Sequence, residues 1–199
     1  MVIDADVLYG ATTRALLIYL DFHDLVRVHW SPLLVDEMSR ALVKTGRKTA
    51  AAARRDEALM GRAAPGAAVP TLEVHASFKA ACPGVRDAKD LHVAACAVAL
   101  LDCGYYPTVR TMHLVTRNAR DFARKRLADL HVCERHPDAF LLDLWTEAPQ
   151  RVADAFRLFR GDLPSAPTVE ALLEKLSNDG QKKTAAALSH AHASGAALL

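Results

Sequence analysis

The sequence predicts an α/β fold in which a parallel sheet carries helices on both faces. Short apolar runs of strand character alternate with longer segments whose apolar residues recur at helical spacing. The first strand is predicted over residues 2–6 and a helix follows from Thr12, while later strands are predicted in VRVHW, MHLVT and LHVCE. Strands that alternate with helices form parallel sheets, whose functional groups gather at the carboxyl ends of the strands.

Several helices are marked by their ends or by their burial pattern. Ser31 is a natural N-cap, Pro32 suits the first helical position, and Gly46 can close the same helix. The segment DAKDLHVAACAVALL is apolar all round and is predicted to be a buried helix. Beyond Trp145 the chain is predicted to be helical and polar, with breaks at GDLPSAP and SNDGQ. We therefore expect one domain over residues 1–145 and a helical C-terminal extension over residues 146–199.

Composition narrows the class of protein. The chain of 199 residues has 25 Lys and Arg against 23 Asp and Glu, a formal charge of +2, so any site for a polyanion must be a local patch. No CxxC pair, secretory leader or long apolar run is present, which predicts a cytoplasmic protein without a cysteine-bound zinc and without a membrane span. The four cysteines are Cys82, Cys96, Cys103 and Cys133.

Acidic and amide side chains recur where predicted strands end or helices begin. A doubly wound sheet brings such positions to one edge, where like charges raise each other's pKa unless a divalent cation holds them ionised. Oxygen ligands favour a hard cation, so the sequence predicts a site for Mg²⁺ or Mn²⁺. The residues concerned are Asp4, Asp6, Glu37, Asp87, Asp90, Thr116, Asn118 and Asp121.

Most of these residues also have a purely structural interpretation. Glu37 lies at the edge of an apolar helix face and can reach water as a boundary residue. Asp87 and Asp90 can satisfy the free amides of a helix start. Asn118 can cap a short helix in a capping-box-like pair with Asp121.

Positive charge is concentrated around the last acidic segment. Counterion release makes such a patch a binding surface for RNA phosphates, although the same residues can form a solvated helix face balanced by Asp121 and Asp129. His29, His92 and His113 are assigned to packing or hydrogen bonding rather than to ligand roles. The basic residues are Arg110, Arg117, Arg120, Arg124, Lys125 and Arg126.

Four segments resemble the motifs of PIN-domain ribonucleases in order and spacing. They are IDADVL, SPLLVDEMSRAL, DAKDLHVAACAV and LVTRNARDF, and the resemblance covers about the first 145 residues. The match is close to the VapC-like toxins that carry Asn and then Asp in the last motif. HPDAFLLDLW and PTVEALLEKLSNDGQKKTAAALS resemble the C-terminal segments of the same branch.

The resemblance implies a three-layer α/β/α fold with a five-stranded parallel sheet and an acidic pocket for one or two Mg²⁺ or Mn²⁺ ions. Asp6 departs from the usual Asn, Thr or Ser of the family, and Asn118 replaces an acid that many members carry. By the resemblance the catalytic and metal-binding acids are Asp4, Glu37, Asp90 and Asp121, with Asp87 as a further metal ligand and Asp6, Thr116 and Asn118 as supporting polar groups.

The predicted activity is hydrolysis of RNA by a metal-activated water, which leaves a 5′-phosphate, in the toxin of a type II toxin–antitoxin pair. The resemblance also implies a cognate antitoxin and a homodimer. One alternative is a phosphatase of the haloacid dehalogenase type, with Asp4 as nucleophile, Asp6 as acid/base and Ser31 as phosphate ligand. Another is an inactive PIN-like module that binds RNA or protein without cutting.

Overall fold

The computed structural model describes all residues, 1–199, as a mostly helical α/β protein. Its elements in chain order are β1 (Val2–Ile3), α1 (Ala5–Leu8), α2 (Ala11–Phe22), α3 (Pro32–Lys44), α4 (Ala50–Ala63), α5 (Thr71–Ala76), α6 (Phe78–Ala81), α7 (Leu91–Asp102), β2 (Met112–Val115), α8 (Arg124–Asp129), β3 (Val132–Arg135), α9 (Pro137–Glu147), α10 (Pro149–Gly161), α11 (Val169–Asn178) and α12 (Lys182–Ala193). Three 3₁₀ turns, Cys82–Gly84, Ala88–Asp90 and Ala119–Asp121, interrupt the connections. None of the helices combines the length and the hydropathy needed to span a bilayer.

The sheet is parallel and has three strands in the order β1-β2-β3. Between β1 and β2, Val2 lies opposite Leu114, and between β2 and β3, Val115 lies opposite Arg135. The prediction of an α/β fold with parallel strands is confirmed, but the five-stranded sheet is corrected to three strands. On the free side of β1 the parallel arrangement continues only as single-residue bridges, Val2 with His29 and Trp30 with Ala68.

Helix starts cut two of the predicted strands short. Asp4 is the N-cap of α1, so β1 ends at Ile3 instead of residue 6. The predicted strand VRVHW keeps backbone hydrogen bonds around His29, but Ser31 caps α3 directly after Trp30. A residue that caps a helix has begun the turn, so the ladder cannot extend past it.

The helix after Ser31 forms as predicted. Ser31 Oγ accepts a hydrogen bond from Leu34 N at 3.4 Å, Pro32 occupies the first turn, and Gly46 follows the helix with a φ of +70°. Glycine adopts this left-handed conformation without the steric cost that a side chain would add.

Helix α7 is the buried helix of the core. Every residue from 93 to 100 is buried, which confirms the prediction from its all-round apolar sequence. The helix packs against β2 and against α5 and α6. Burial of each Val or Leu side chain contributes roughly 1.5–3 kcal/mol, so this helix fixes the position of the residues at its start.

The chain divides into two compact units that do not follow its order. The first unit comprises residues 1–9 and 28–135 and contains the sheet. The second comprises residues 10–27 and 136–199, so it includes α2 together with α9–α12. The boundary predicted after residue 145 lies within α9.

The second unit is a helical assembly whose helix starts are capped by distant carboxylates. Asp179 Oδ2 accepts hydrogen bonds from Thr12 N at 2.8 Å and Thr13 N at 3.0 Å, at the start of α2. Asp138 on α9 accepts from Lys183 N and Thr184 N at the start of α12. These bonds satisfy first-turn amides that have no partner within their own helix.

Candidate active site

Asp4 lies between β1 and α1, and its carboxylate is held from two sides. Oδ1 accepts a hydrogen bond from Ala5 N at 2.6 Å, and Oδ2 accepts one from Thr116 Oγ1 at 2.7 Å. Thr116 follows β2 directly, is fully buried, and accepts a hydrogen bond from Asn118 N at 3.0 Å. The carboxyl ends of β1 and β2 are therefore joined by side chains, as expected at this edge of a parallel sheet.

Asp6 is bound to the loop that follows β2. Its Oδ2 accepts a hydrogen bond from Arg117 N at 3.0 Å, and its main-chain oxygen accepts one from Arg117 Nη1 at 2.9 Å. The other carboxylate oxygen, Oδ1, is buried and has no hydrogen-bond partner. Asp6 thus orients the loop with one oxygen and leaves the second unsatisfied.

The two buried aspartates oppose each other's ionisation. Burial raises the pKa of Asp4 to about 7, and the charge of Asp6 adds to the rise. Burial likewise raises the pKa of Asp6 to about 6, against the hydrogen bond from Arg117 N. Such a pair costs free energy when both members are charged, and a nearby cation removes that cost.

Glu37 projects from α3 and pairs with His92 on α7. Its Oε2 lies 3.1 Å from His92 Nε2, and its side chain is 47% exposed. This hydrogen bond lowers the pKa of Glu37. Burial alone would lower the pKa of His92, but the hydrogen bond and charge of Glu37 raise it overall. The pair was not predicted, because the two residues lie 55 positions apart in the sequence.

Asp90 precedes α7 and is only 8% exposed. Its side chain forms no capping hydrogen bond, and its buried Oδ2 has no partner. Burial raises the pKa of Asp90, and the charges of Asp121, Asp87 and Glu37 add to the rise against the opposing effect of Lys89. Helix capping therefore does not explain this aspartate.

Asp87 has the structural role that its position predicts. Its Oδ1 accepts a hydrogen bond from Lys89 N at 3.1 Å and so caps the 3₁₀ turn Ala88–Asp90. Its Oδ2 lies 3.1 Å from Lys89 Nζ. The backbone and side-chain bonds from Lys89 lower the pKa of Asp87.

The last acidic segment forms the 3₁₀ turn Ala119–Asp121. Asn118 precedes the turn, but its side chain makes no capping hydrogen bond, so the predicted capping-box-like pair is absent. The Asp121 side chain is mostly buried, 3.9 Å from Arg120 Nε. Its charge contributes to the raised pKa of Asp90.

A backbone bridge ties these two segments together. Arg86 N donates to Asp121 O at 2.8 Å, and Ala123 N donates to Gly84 O at 2.9 Å. A Cβ added to Gly84 would lie 2.6 Å from Leu127 Cδ2, closer than real contacts allow. The Pro-Gly sequence predicts a turn here, but nothing local indicates that Gly84 is needed for a close approach.

The acids do not form an assembled set of metal ligands. No three His, Cys, Asp or Glu side chains lie together as a metal-ligand cluster in the structure without an ion. Asp4 and Asp6 form one group and Asp90 and Asp121 another, with Glu37 contributing charge to both. The unpartnered buried oxygens of Asp6 and Asp90 nevertheless fit the presence of a cation, since buried carboxylate oxygens are normally satisfied.

The predicted basic patch separates into structural and exposed members. Arg117 binds Asp6, and Arg124 pairs with Glu134, whose side chain is only 2% exposed, at 2.9 and 2.8 Å. Arg126 lies 3.7 Å from Asp129. Arg117 and Arg124 are therefore engaged within the fold, whereas the Arg126–Asp129 pair lies on the surface, with both side chains 69% exposed.

Other basic residues are open to solvent. The Arg120 side chain is 87% exposed, and Lys125 is also exposed. Arg110 precedes β2 and so lies toward the opposite end of that strand from the acids. Sequence reasoning missed Arg86 and Lys89, which are exposed and flank Asp87 and Asp90.

His29 has the hydrogen-bonding role that was predicted for it. Its Nε2 lies 2.7 Å from Tyr106 Oη, and the residue is buried. His113 lies within β2 and is half-buried. Of the three histidines assigned to packing or hydrogen bonding, His92 is the one whose partner belongs to the candidate site.

The C-terminal part of the chain matches a known protein family. Residues 137–190 match the family model described as the VapC50 C-terminal domain. The match covers α9–α11 and most of α12, and not the segments that carry the acids. Searches of curated proteins and of solved structures find no match.

Proposed function

We propose that this protein is a metal-dependent endoribonuclease, and the toxin of a toxin–antitoxin pair. The observation that carries the proposal is the buried Asp4–Asp6 pair at the carboxyl edge of the sheet, which is costly to ionise without a cation. The family match in α9–α12 supports the toxin assignment independently of the acids.

Asp4, Glu37, Asp90 and Asp121 are the residues that would hold Mg²⁺ or Mn²⁺. Asp87 would lie further from the ion than these four acids, because its carboxylate is already bound by Lys89. When bound, such an ion lowers the pKa of a water molecule and neutralises charge that develops on the phosphate.

The remaining residues position these acids and the substrate. Thr116 holds Asp4, the main chain of Arg117 holds Asp6, and His92 holds Glu37. The exposed Arg86, Lys89 and Arg120 are available to contact backbone phosphates of RNA, which supply most sequence-independent affinity.

The partners and location of the protein are part of the same proposal. VapC-family toxins in general imply an antitoxin, and we propose a cognate antitoxin, a homodimer and a cytoplasmic location for this chain. The phosphatase alternative loses support because Ser31 is fully buried, so its hydroxyl, which caps α3, is not exposed to a phosphate.

The test is cleavage of mixed cellular RNA with Mn²⁺ by the wild type and by Asp4→Asn and Asp90→Asn. We expect the wild type to cut and both variants to lose at least about 100-fold in rate, since each removes a charge that holds the ion. Asp102→Asn is the matched control, because Asp102 is exposed at the other end of α7.

The outcomes separate the three functions. A nuclease that uses water leaves 5′-phosphate ends, so products that carry mainly 2′,3′-cyclic phosphates would contradict the mechanism. Turnover of small phosphoesters without RNA cleavage would indicate the phosphatase. RNA binding with neither activity would indicate an inactive module.

A further inference from the structure

A groove of about 460 Å³ opens beside Glu37 and His92, within the first compact unit. Its apolar lining comes from Leu33, Phe78 and Leu91. The volume falls within the range of about 300–1,000 Å³ that is typical of sites for small organic groups. The groove therefore has room for one flat apolar group next to the candidate active site.

Phe78 is the aromatic surface of this groove. It begins α6 and is only partly buried. Its ring is held edge-to-face by His75, with 5.0 Å between the ring centroids. An aromatic ring that is partly exposed offers a stacking surface to a base.

Cations lie along the same groove. Lys89 Nζ is 3.1 Å from Asp87, and the lysine side chain is 67% exposed. Arg40 is also exposed and pairs with Asp36 at 2.9 Å across one turn of α3. Surface ion pairs of this kind are weak, so both cations can turn to a phosphate. The groove thus combines a flat apolar surface with positive charge.

We propose that this groove binds one unpaired nucleotide of the RNA substrate, with its base against Phe78 and its phosphate at Lys89. The assignment rests on the proposed nuclease function, because Glu37 and His92 line both the groove and the candidate active site. Positive charge beside an aromatic ring suits a nucleotide better than an apolar peptide segment.

The proposal has a consequence for substrate choice. Bases in a duplex are stacked on one another and cannot enter a side groove without being unpaired. The enzyme should therefore require an unpaired nucleotide at a fixed position beside the bond that it cuts.

The test measures fluorescence anisotropy of a labelled single-stranded RNA of about 12 nucleotides, without divalent cations and in an Asp4→Asn background that prevents cutting. We expect Phe78→Leu to weaken binding about tenfold, because it keeps apolar bulk and removes the flat ring. Phe78→Trp should retain the affinity of the parent. The same RNA annealed to its complement should bind more weakly and should not respond to Phe78→Leu.

Charge is tested separately through salt dependence. Lys89→Gln should reduce the slope of log K against log salt by about one, as expected for one lost phosphate contact. Lys79→Gln is the matched control, because Lys79 is exposed on α6 and does not line the groove. Thermal unfolding of each variant shows that the fold is retained.

The measurements distinguish an error in the groove proposal from an error in the nuclease proposal. Manganese-dependent cleavage by the wild type, with equal RNA affinity of parent and Phe78→Leu, overturns the groove alone. No cleavage, with weaker RNA binding by Phe78→Leu, overturns the nuclease and supports the groove. If Phe78→Leu weakens binding of the antitoxin but not of RNA, the groove is a protein-binding site and the proposal is wrong.

Discussion

Asp4 is the residue at which stability and the proposed activity conflict most directly. Its carboxylate is buried at the end of β1 and next to a second buried carboxylate, so burial raises its pKa to about 7. A shift of this size corresponds to a cost on the order of a few kcal/mol for the ionised form. Under the proposed function, a bound cation would offset this cost.

We predict that stability falls as pH rises from about 4 to about 7 in the absence of divalent cations. In this window the unfolded chain has released the Asp4 proton, near the ordinary value of 3.8, and the folded chain still holds it. The folded state therefore binds more protons, and raising the pH favours unfolding. Urea midpoints at pH 5 and pH 8 measure the effect.

The control for this pH dependence is Asp4→Asn, which cannot ionise. It should be less sensitive to pH and more stable than the wild type at pH 8. Addition of Mn²⁺ at pH 8 should raise the midpoint of the wild type and not that of the variant. An identical pH response of the two proteins would show that Asp4 is not the titrating group.

His92 is predicted to position Glu37. His92→Leu removes the donor and should lower kcat/KM about 10–100-fold, while His92→Gln keeps an N–H at a similar reach and should retain most activity. His190→Gln is the control, since His190 is exposed on α12. Equal activity of the Leu and Gln variants would contradict the positioning role.

At the residue scale the sequence predicted where the acids lie but not what they contact. Asp4 and Asp90 lie at the starts of α1 and α7, positions that local patterns indicate, and their role as metal ligands stays a prediction. The bond between Glu37 and His92 and the buried pair of Arg124 with Glu134 depend on tertiary contacts. Patterns within a short stretch of sequence do not indicate contacts between residues that are far apart in the chain.

At the scale of elements, signals carried by consecutive residues were reliable. Ser31 and Pro32 correctly marked the start of α3, and the apolar run from 93 to 100 correctly marked α7. Strand lengths were overestimated, because apolar residues continue past the point where Asp4 or Ser31 begins a helix. Hydrophobicity alone does not show where backbone pairing stops.

The bridge between the two acidic segments depends on the absence of a side chain at Gly84. Gly84→Ala should lower stability by about 1–3 kcal/mol, because the new Cβ would collide with the fully buried Leu127. It should also reduce RNA cleavage, since the bridge aligns the segments of Asp90 and Asp121. Urea denaturation and a cleavage assay on the same protein check both effects.

Gly66→Ala is the matched control for this substitution. A Cβ at Gly66 would meet nothing within 4 Å. We expect a change within about 0.5 kcal/mol, or a slight gain from reduced freedom of the unfolded chain. Similar losses for both variants would show that contact with Leu127 is not the cause.

At the scale of the whole molecule, the sequence predicted a helical C-terminal extension but not its membership of a larger unit. The breaks that were predicted after Trp145 do separate α10, α11 and α12. The packing of α2 with α10 was not predicted. Helical periodicity indicates that a helix has an apolar face, but it does not indicate which other element packs against that face.

We predict that a fragment of residues 1–145 does not fold as a stable monomer. Cutting there removes α10, which packs on α2, and uncovers apolar residues of α2 such as Leu16, Leu17 and Leu20. The fragment should aggregate or lose cooperative unfolding, as measured by size-exclusion chromatography and thermal circular dichroism. A monomeric fragment with a sharp transition would show that residues 1–145 form an independent domain.

The bonds from Thr12 and Thr13 to Asp179 also set the order of events during synthesis. These partners are 167 and 166 positions apart, so the first helix of the second unit leaves the ribosome long before its cap does. Contacts that close so large a loop form late. A growing chain therefore cannot complete its second unit until Asp179 has been translated and has left the ribosome.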